Sequence, residues 1–180
     1  MAENYLQKLR KVKAFFFDVD GVLSDGSVTL MPNGDQVRVM NVKDGYVLQL
    51  AVKLGYHVCI ITGGKSDQVK NRMQGLGVEH VYMGISNKLE CFNEHCEIYN
   101  IDPNESLYMG DDIPDYEVMK EIGFASCPLD ASAEIKELCN YISDIKGGEG
   151  CVRDVMEKTI KVQGKWFTQN DSVEMNKFFW

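Results

Sequence analysis

Three short apolar runs each end in a polar cluster, and this recurrence constrains the fold more than any other feature. Ala14-Phe15-Phe16-Phe17 runs into Asp18-Val19-Asp20-Gly21. Ile60-Ile61 runs into Thr62-Gly63. Leu107-Tyr108-Met109 runs into Gly110-Asp111-Asp112-Ile113-Pro114-Asp115. Strands covered on both faces read as continuous apolar runs, and their alternation with helices gives a parallel sheet. The expected fold class is therefore α/β, a Rossmann-like doubly wound, mainly parallel sheet. The carboxyl ends of its strands share one rim, where open α/β sheets bind ligands. That rim receives a nucleophile-grade carboxylate, a hydroxyl and a carboxylate metal site.

The remaining elements follow from turn and cap signals. Residues 27–41 read as an inserted β-hairpin, with Ser27 to Met31 and Gln36 to Met40 flanking Pro32-Asn33-Gly34-Asp35. Asp44 is expected to cap a helix that runs to Leu54. Ser66 caps the next, ending near Leu76, and Ser86 caps another through Tyr99. Short strands are expected at His80 to Tyr82, Phe124 to Cys127 and Tyr141 to Ser143. Helices are expected over Tyr116 to Ile122, Ser132 to Cys139 and Val152 to Val162. No repeat or linker divides the chain, so 1–180 is expected to be a single domain. The 164–180 tail ends in Phe178-Phe179-Trp180 and is expected to pack on its own subunit or a neighbour.

Charge and cysteine usage narrow the partners. The formal net charge is −8 and no basic stripe interrupts it. Nucleic acid and anionic membrane are excluded on that account, whereas a cation is an easy partner. No stretch approaches the ~18 apolar residues of a membrane span. Met1 to Lys13 is polar, with no apolar signal-peptide core. The six cysteines (Cys59, Cys91, Cys96, Cys127, Cys139 and Cys151) have no CxxC pairing. They read as reduced core residues of a cytoplasmic protein.

The clusters suggest phosphoryl chemistry. Asp18 and Asp20 are two residues apart at a strand end, and Gly21 lets the chain turn at once. Two carboxylates so close repel, so one needs a cation while the other tends to hold a proton. Asp18 suits a nucleophile that forms an aspartyl-phosphate, and Asp20 a general acid and then base. Alone, the pair reads equally as a turn with a capping Asp. Asp111, Asp112 and Asp115 crowd more acid onto the rim. Oxygen-only ligation suits magnesium there, and a solvated acidic loop is the alternative. The Thr62 hydroxyl and the following N–H suit phosphoryl oxygens, although Thr62-Gly63-Gly64 by itself is a turn. Lys88 would offset the transferring charge, although a lone lysine is ordinarily a surface residue.

Taken jointly, Asp18 to Gly26 (DxDGxxxDG), Thr62, Lys88 and Gly110 to Asp115 (GDDxxD) resemble the haloacid dehalogenase superfamily of phosphohydrolases. The resemblance spans Lys13 to about Val162. The short intervals after Gly21 and after Thr62 leave no room for a cap domain. Asp18 to Gly26, Asn41-Val42-Lys43-Asp44-Gly45 and Lys146 to Arg153 are similar to the capless branch that hydrolyses 3-deoxy-D-manno-octulosonate 8-phosphate. The resemblance implies magnesium held by Asp18, Asp111 and the Asp20 backbone carbonyl, with Asp112 or Asp115 in support. It implies phosphate held by Thr62, Gly63 and Lys88, with substrate contacts at Asp20, Asn41, Val42, Lys43, Asp44, Gly45, Gly64, Lys65, Arg72, Gly147 and Gly148. It further implies a homotetramer assembled through the 27–41 hairpin, a cytoplasmic setting and a role in lipopolysaccharide sugar synthesis. Where the branch commonly has arginine, this chain has Gly64 and Gln49, and Lys65 is expected to replace part of that charge. Alternatives are a phosphatase for a nine-carbon 2-keto-3-deoxy sugar acid 9-phosphate, or a catalytically silent oligomerisation module.

Overall fold

A computed structural model describes residues 4–167. At its centre is β1 (Ala14–Phe17), flanked by β4 (His57–Thr62) and β6 (Ser106–Met109). Beyond β4 lies β5 (His80–Met83). Beyond β6 lie β7 (Phe124–Cys127) and β8 (Tyr141–Ile142). Every pairing in this six-stranded sheet is parallel. The chain winds from β1 outward through β4 and β5, then crosses back to begin at β6. The crevice at that reversal lies beside the end of β1, and Phe17 is in register with both Ile60 and Met109. Asp18 therefore emerges at the switch point of the sheet.

Period-two alternation divides the strand side chains between two cores. Phe15, Phe17, Val58, Ile60, Leu107 and Met109 face one layer, while Phe16, Cys59, Ile61 and Tyr108 face the other. The first layer is closed by α1 (Tyr5–Leu9), α2 (Val42–Lys53), α3 (Asp67–Gly75) and α7 (Cys151–Val162). The second is closed by α4 (Lys88–Tyr99), α5 (Tyr116–Glu121) and α6 (Ala133–Leu138). Each fully buried Phe of β1 contributes roughly 1.5–3 kcal/mol of transfer free energy. The strand that carries Asp18 is thus among the most firmly seated in the fold.

The hairpin consists of β2 (Thr29–Leu30) and β3 (Gln36–Val37), antiparallel and shorter than the alternation predicts. Two helix starts are corrected. Asn41, not Asp44, caps α2, its side chain accepting from Lys43 N–H. Asn87, not Ser86, caps α4, accepting from Glu90 N–H. In each case the asparagine immediately precedes the first helical residue, whereas Asp44 lies within the first turn of α2 and Ser86 one residue too early for α4. Helix α1 is not anticipated by apolar periodicity, but Asn4 and Gln7 form a capping box that the sequence does display. The Phe178-Phe179-Trp180 tail lies outside the described residues. Among the described residues, no helix is long and apolar enough to cross a membrane.

Candidate active site

The three strand ends deliver their side chains to one crevice. Asp18 leaves β1 with its N–H on Met109 O (3.1 Å), and its Oδ1 accepts from Val19 N–H at 2.6 Å. Lys88, at the first turn of α4, crosses the second layer and places Nζ 2.7 Å from Asp18 Oδ2 and 2.7 Å from Asp115 Oδ1. Only 5% of Lys88 is exposed. Asp115 is fully engaged: Oδ1 also accepts from Tyr108 OH at 2.7 Å, and Oδ2 accepts from Asp111 N–H at 3.2 Å. Oxygens of Asp18, Asp111 and Asp115 all lie within 4.8 Å of one another. Thr62 is buried at the end of β4, where its hydroxyl accepts from Gly64 N–H at 3.2 Å.

Two glycines make this packing feasible. Gly21 has φ +85°, and a Cβ there would fall inside the Asp111 carboxylate. A Cβ on Gly110 would collide with Asp115. Both turns bring backbone to within contact of a carboxylate, which only a residue without a side chain allows.

The electrostatics leave the pocket short of positive charge. Burial, reinforced by Asp115, pushes the Asp18 carboxyl up to about 6 despite Lys88. Burial, with Asp18 and Asp115, pushes Asp111 up to about 7. Burial alone would depress Lys88, but Asp115 and Asp18 raise it above its ordinary value. One ammonium thus serves several close carboxylates. A hard divalent cation with oxygen ligands fits this donor set and relieves the repulsion.

Residues 80–153 match the model of the haloacid dehalogenase-like hydrolase family. The chain is 36% identical to the 3-deoxy-D-manno-octulosonate 8-phosphate phosphatase of Salmonella typhi, over 92% of this chain and 88% of that protein. The identity to the Escherichia coli K12 protein of the same name is also 36%, with the same coverage. The structure of the Yersinia pestis phosphatase superposes with a TM-score of 0.88 at 32% identity, covering 92% of this chain and 89% of that one. That of the Moraxella catarrhalis phosphatase, in complex with magnesium, phosphate and the sugar acid KDO, gives 0.89 at 30% identity, covering 98% and 100%. This chain belongs to the haloacid dehalogenase family of hydrolases.

The family's strand ends account for most of the expected site, and the structure sorts the rest. Asp18, Thr62, Lys88, Asp111 and Asp115 converge. Asp112 is exposed on the neighbouring turn, where its carbonyl accepts from Asp115 N–H at 2.9 Å. Asp20 turns from the carboxylate group toward the hairpin. Asn41 caps α2, while Val42 and Lys43 line a separate cavity of about 310 Å³ with Tyr46, Arg153 and Trp166. Asp44 and Gly45 are buried, and Asp44 Oδ1 accepts from Arg153 N–H at 2.6 Å. Arg72 lies against Gly45, whose Cβ would stand 2.7 Å from its NH2, and lines a cavity of about 220 Å³ between β3 and α3. Gly63, Gly64 and Lys65 line a larger one, about 480 Å³, which the hairpin tip Gly34-Asp35-Gln36 also borders. Gly147 and Gly148 pack against the Gly21–Asp25 turn from behind, their N–H groups held by Asp130 Oδ1 and Val22 O (both 2.9 Å).

Lys65 leans across Gly84, where a Cβ would collide with it. One residue is absent from the sequence expectations altogether. The cation beside Gly64 is Arg38, from the return arm of the hairpin. Its Nε and NH2 donate to Asp20 Oδ1 (2.5 Å) and Oδ2 (2.9 Å). The only sequence signal for it is a lone arginine between Val37 and Val39.

Proposed function

We propose that this hydrolase cleaves 3-deoxy-D-manno-octulosonate 8-phosphate to the free sugar acid and inorganic phosphate. The observation that carries the chemistry is the convergence of Asp18, Asp111 and Asp115 at the switch point, with Lys88 bridging Asp18 and Asp115. The substrate follows from the relatives, named for that ester and similar along nearly the whole chain. Asp18 Oδ1 or Oδ2 attacks phosphorus, the P–O bond to the sugar breaks, and Asp20 gives its proton to the departing alkoxide. Asp20 then takes a proton from water as its oxygen attacks the aspartyl-phosphate, returning Asp18 and releasing phosphate. Lys88 holds Asp18 in line and offsets charge on the phosphoryl oxygens, while Thr62 and the Gly63 N–H hold those oxygens. Magnesium on Asp18, Asp111 and the Asp20 carbonyl would polarise the phosphoryl group and neutralise charge. Asp115 orients Lys88 and the Asp111 turn.

The same reading treats 1–180 as one domain without a cap, working in the cytoplasm. It assembles as a homotetramer through the hairpin, whose apolar side chains are open to solvent: Leu30 is 72% and Val39 79% exposed. Phosphate release from eight- and nine-carbon sugar-acid esters tests the substrate, with Asp18→Asn as control. The reading requires a preference for the eight-carbon ester and loss of turnover in the variant. Preference for the nine-carbon ester, or turnover surviving Asp18→Asn, overturns it. So does undiminished activity after exhaustive chelation, for the metal.

A further inference from the structure

We propose that Arg38 is a positioning residue for Asp20, delivered by the hairpin and admitted by the bare Cα of Gly64. The inference rests on the reading of Asp20 as the proton donor.

The hairpin is otherwise an exposed element. Along its return arm Val37 and Val39 face solvent, while the Arg38 side chain between them is 4% exposed. The guanidinium meets Asp20 as a planar fork, Nε to Oδ1 and NH2 to Oδ2. A bidentate pair of this kind fixes the plane of the carboxylate as well as its position. The fork is itself anchored, with NH1 donating to Gln36 O at 3.0 Å and NH2 to Gln36 Oε1 at 3.5 Å. Asp20 sits on a turn, and Ser24 Oγ, 3.3 Å from Oδ1, is a weak second hold. Arg38 is thus the group that decides where this carboxylate points.

Gly64 makes the approach possible. A Cβ there would stand 3.1 Å from Arg38 NH2, 3.2 Å from Asp20 Oδ2 and 3.6 Å from Thr62 Oγ1. Its φ is not in the left-handed region, so the backbone itself tolerates a side chain. A side chain there would press on the ion pair above it, displacing it by a few tenths of an ångström, whereas the backbone conformation itself does not call for glycine. The pair consequently roofs the Thr62–Gly64 loop, which would hold the phosphoryl oxygens. Before phosphoryl transfer one limb of the fork opens so that the freed Asp20 oxygen takes a proton from solvent; that proton then passes to the departing ester oxygen, while the other limb keeps the carboxylate plane.

The test compares wild type with Arg38→Ala, Arg38→Lys and Gly64→Ala, and with Gly64→Ala in the Arg38→Ala background, all with magnesium. Two esters are used: whichever sugar phosphate the wild type cleaves best, and p-nitrophenyl phosphate, whose phenolate leaves without needing a proton. Positioned acid–base groups contribute about 10²–10⁴-fold, so Arg38→Ala should lower kcat on the sugar ester by roughly 10–100-fold. KM should stay within about threefold. The nitrophenolate burst should persist near the wild-type rate, since only the second step then needs Asp20. Arg38→Lys should recover part of the loss. Gly64→Ala should cost activity when Arg38 is present and little more when it is absent.

A raised KM at unchanged kcat would make Arg38 a substrate contact and overturn the inference. So would equal losses on both esters, including the burst, or strictly additive effects of Arg38→Ala and Gly64→Ala. A wild type that ignores the eight-carbon ester but cleaves another sugar phosphate would refute the substrate reading alone. The Arg38 comparison is then made on that other ester.

Discussion

The backbone N–H of Arg153 donates to Asp44 Oδ1 at 2.6 Å, joining the first turns of α7 and α2 across 109 residues of chain. The bond explains why Asp44 lies inside the protein and not on the rim of the site. The Lys146–Gly150 turn that leads into α7 is held against the nucleophile loop by Gly148 N–H, which donates to Val22 O at 2.9 Å. Arg153 is steadied further by the rings of Tyr46 and Trp166, 5.2 and 4.7 Å away.

Replacing Asp44 by Ala should therefore destabilise the fold while leaving the catalytic carboxylates intact. A buried N–H left without its acceptor costs about 1–3 kcal/mol. For a chain of this size that lowers the melting midpoint by roughly 2–12 °C. Asp44→Asn keeps an acceptor and removes a carboxyl that burial has raised to about 6, so it should melt close to wild type at neutral pH. Calorimetry of both variants checks this, and equal melting of Asp44→Ala and wild type would contradict it.

Lys88→Met should lose both activity and stability. The ammonium bridges Asp18 and Asp115, and removing one partner of a buried ion pair costs about 3–5 kcal/mol. Denaturant titration should show a midpoint shift at constant slope. Because Met removes only the cation, saturating magnesium should restore part of the stability and little of the turnover.

The contribution of the raised carboxyls to the pH dependence of the metal-free protein has a definite sign. Burial, with neighbouring charge, raises Asp18 to about 6 and Asp111 to about 7, and burial raises Asp44 to about 6, all from an ordinary 3.8. Between those limits the folded chain keeps protons that the unfolded chain releases. The contribution of these three carboxyls is then greatest at acid pH and declines as pH rises from about 4 to 7, while His57 and His95, lowered by burial to about 4, contribute in the opposite sense between about 4 and 6.5. Magnesium competes with those protons, so its stabilisation should grow over the same interval. Melting curves at about pH 5 and 7.5, with and without magnesium, read both trends. Asp111→Asn, which removes one raised carboxyl, should decline less steeply over this interval than wild type, and an unchanged trend in that variant would refute the assignment.

Leu30→Lys combined with Val39→Lys should dissociate the proposed tetramer with little effect on the fold of each subunit. Both side chains project from the hairpin into solvent, and charge on such an edge opposes pairing. Multi-angle light scattering should register a fall from tetramer to smaller species. A wild type that is already monomeric and fully active would remove the basis for the hairpin's role.

Particular residues separate what could be read along the chain from what could not. The apolar runs at Ala14–Phe17, Ile60–Ile61 and Leu107–Met109 mark strands covered on both faces, and the acids that follow them land on one rim because parallel strands share their direction. Asp18, Thr62 and Asp111 are legible for that reason, whereas Lys88, the first residue of α4, is picked out only by the joint pattern. Helix starts were less so, since Asn41 and Asp44, or Ser86 and Asn87, compete within one turn and local geometry chooses between them.

Which carboxylate meets which partner was a matter for the tertiary structure alone. Asp115 binds Lys88 and Tyr108, Asp44 faces Arg153, and Asp20 faces Arg38. The pattern along the chain sets the order of strands and the edge where acids gather, because burial and backbone direction are local properties. Each of those partners comes from a different element. Only the packing of hairpin, helices and sheet brings them within hydrogen-bond range, because such bonds act over a few ångströms and carry no trace in sequence spacing.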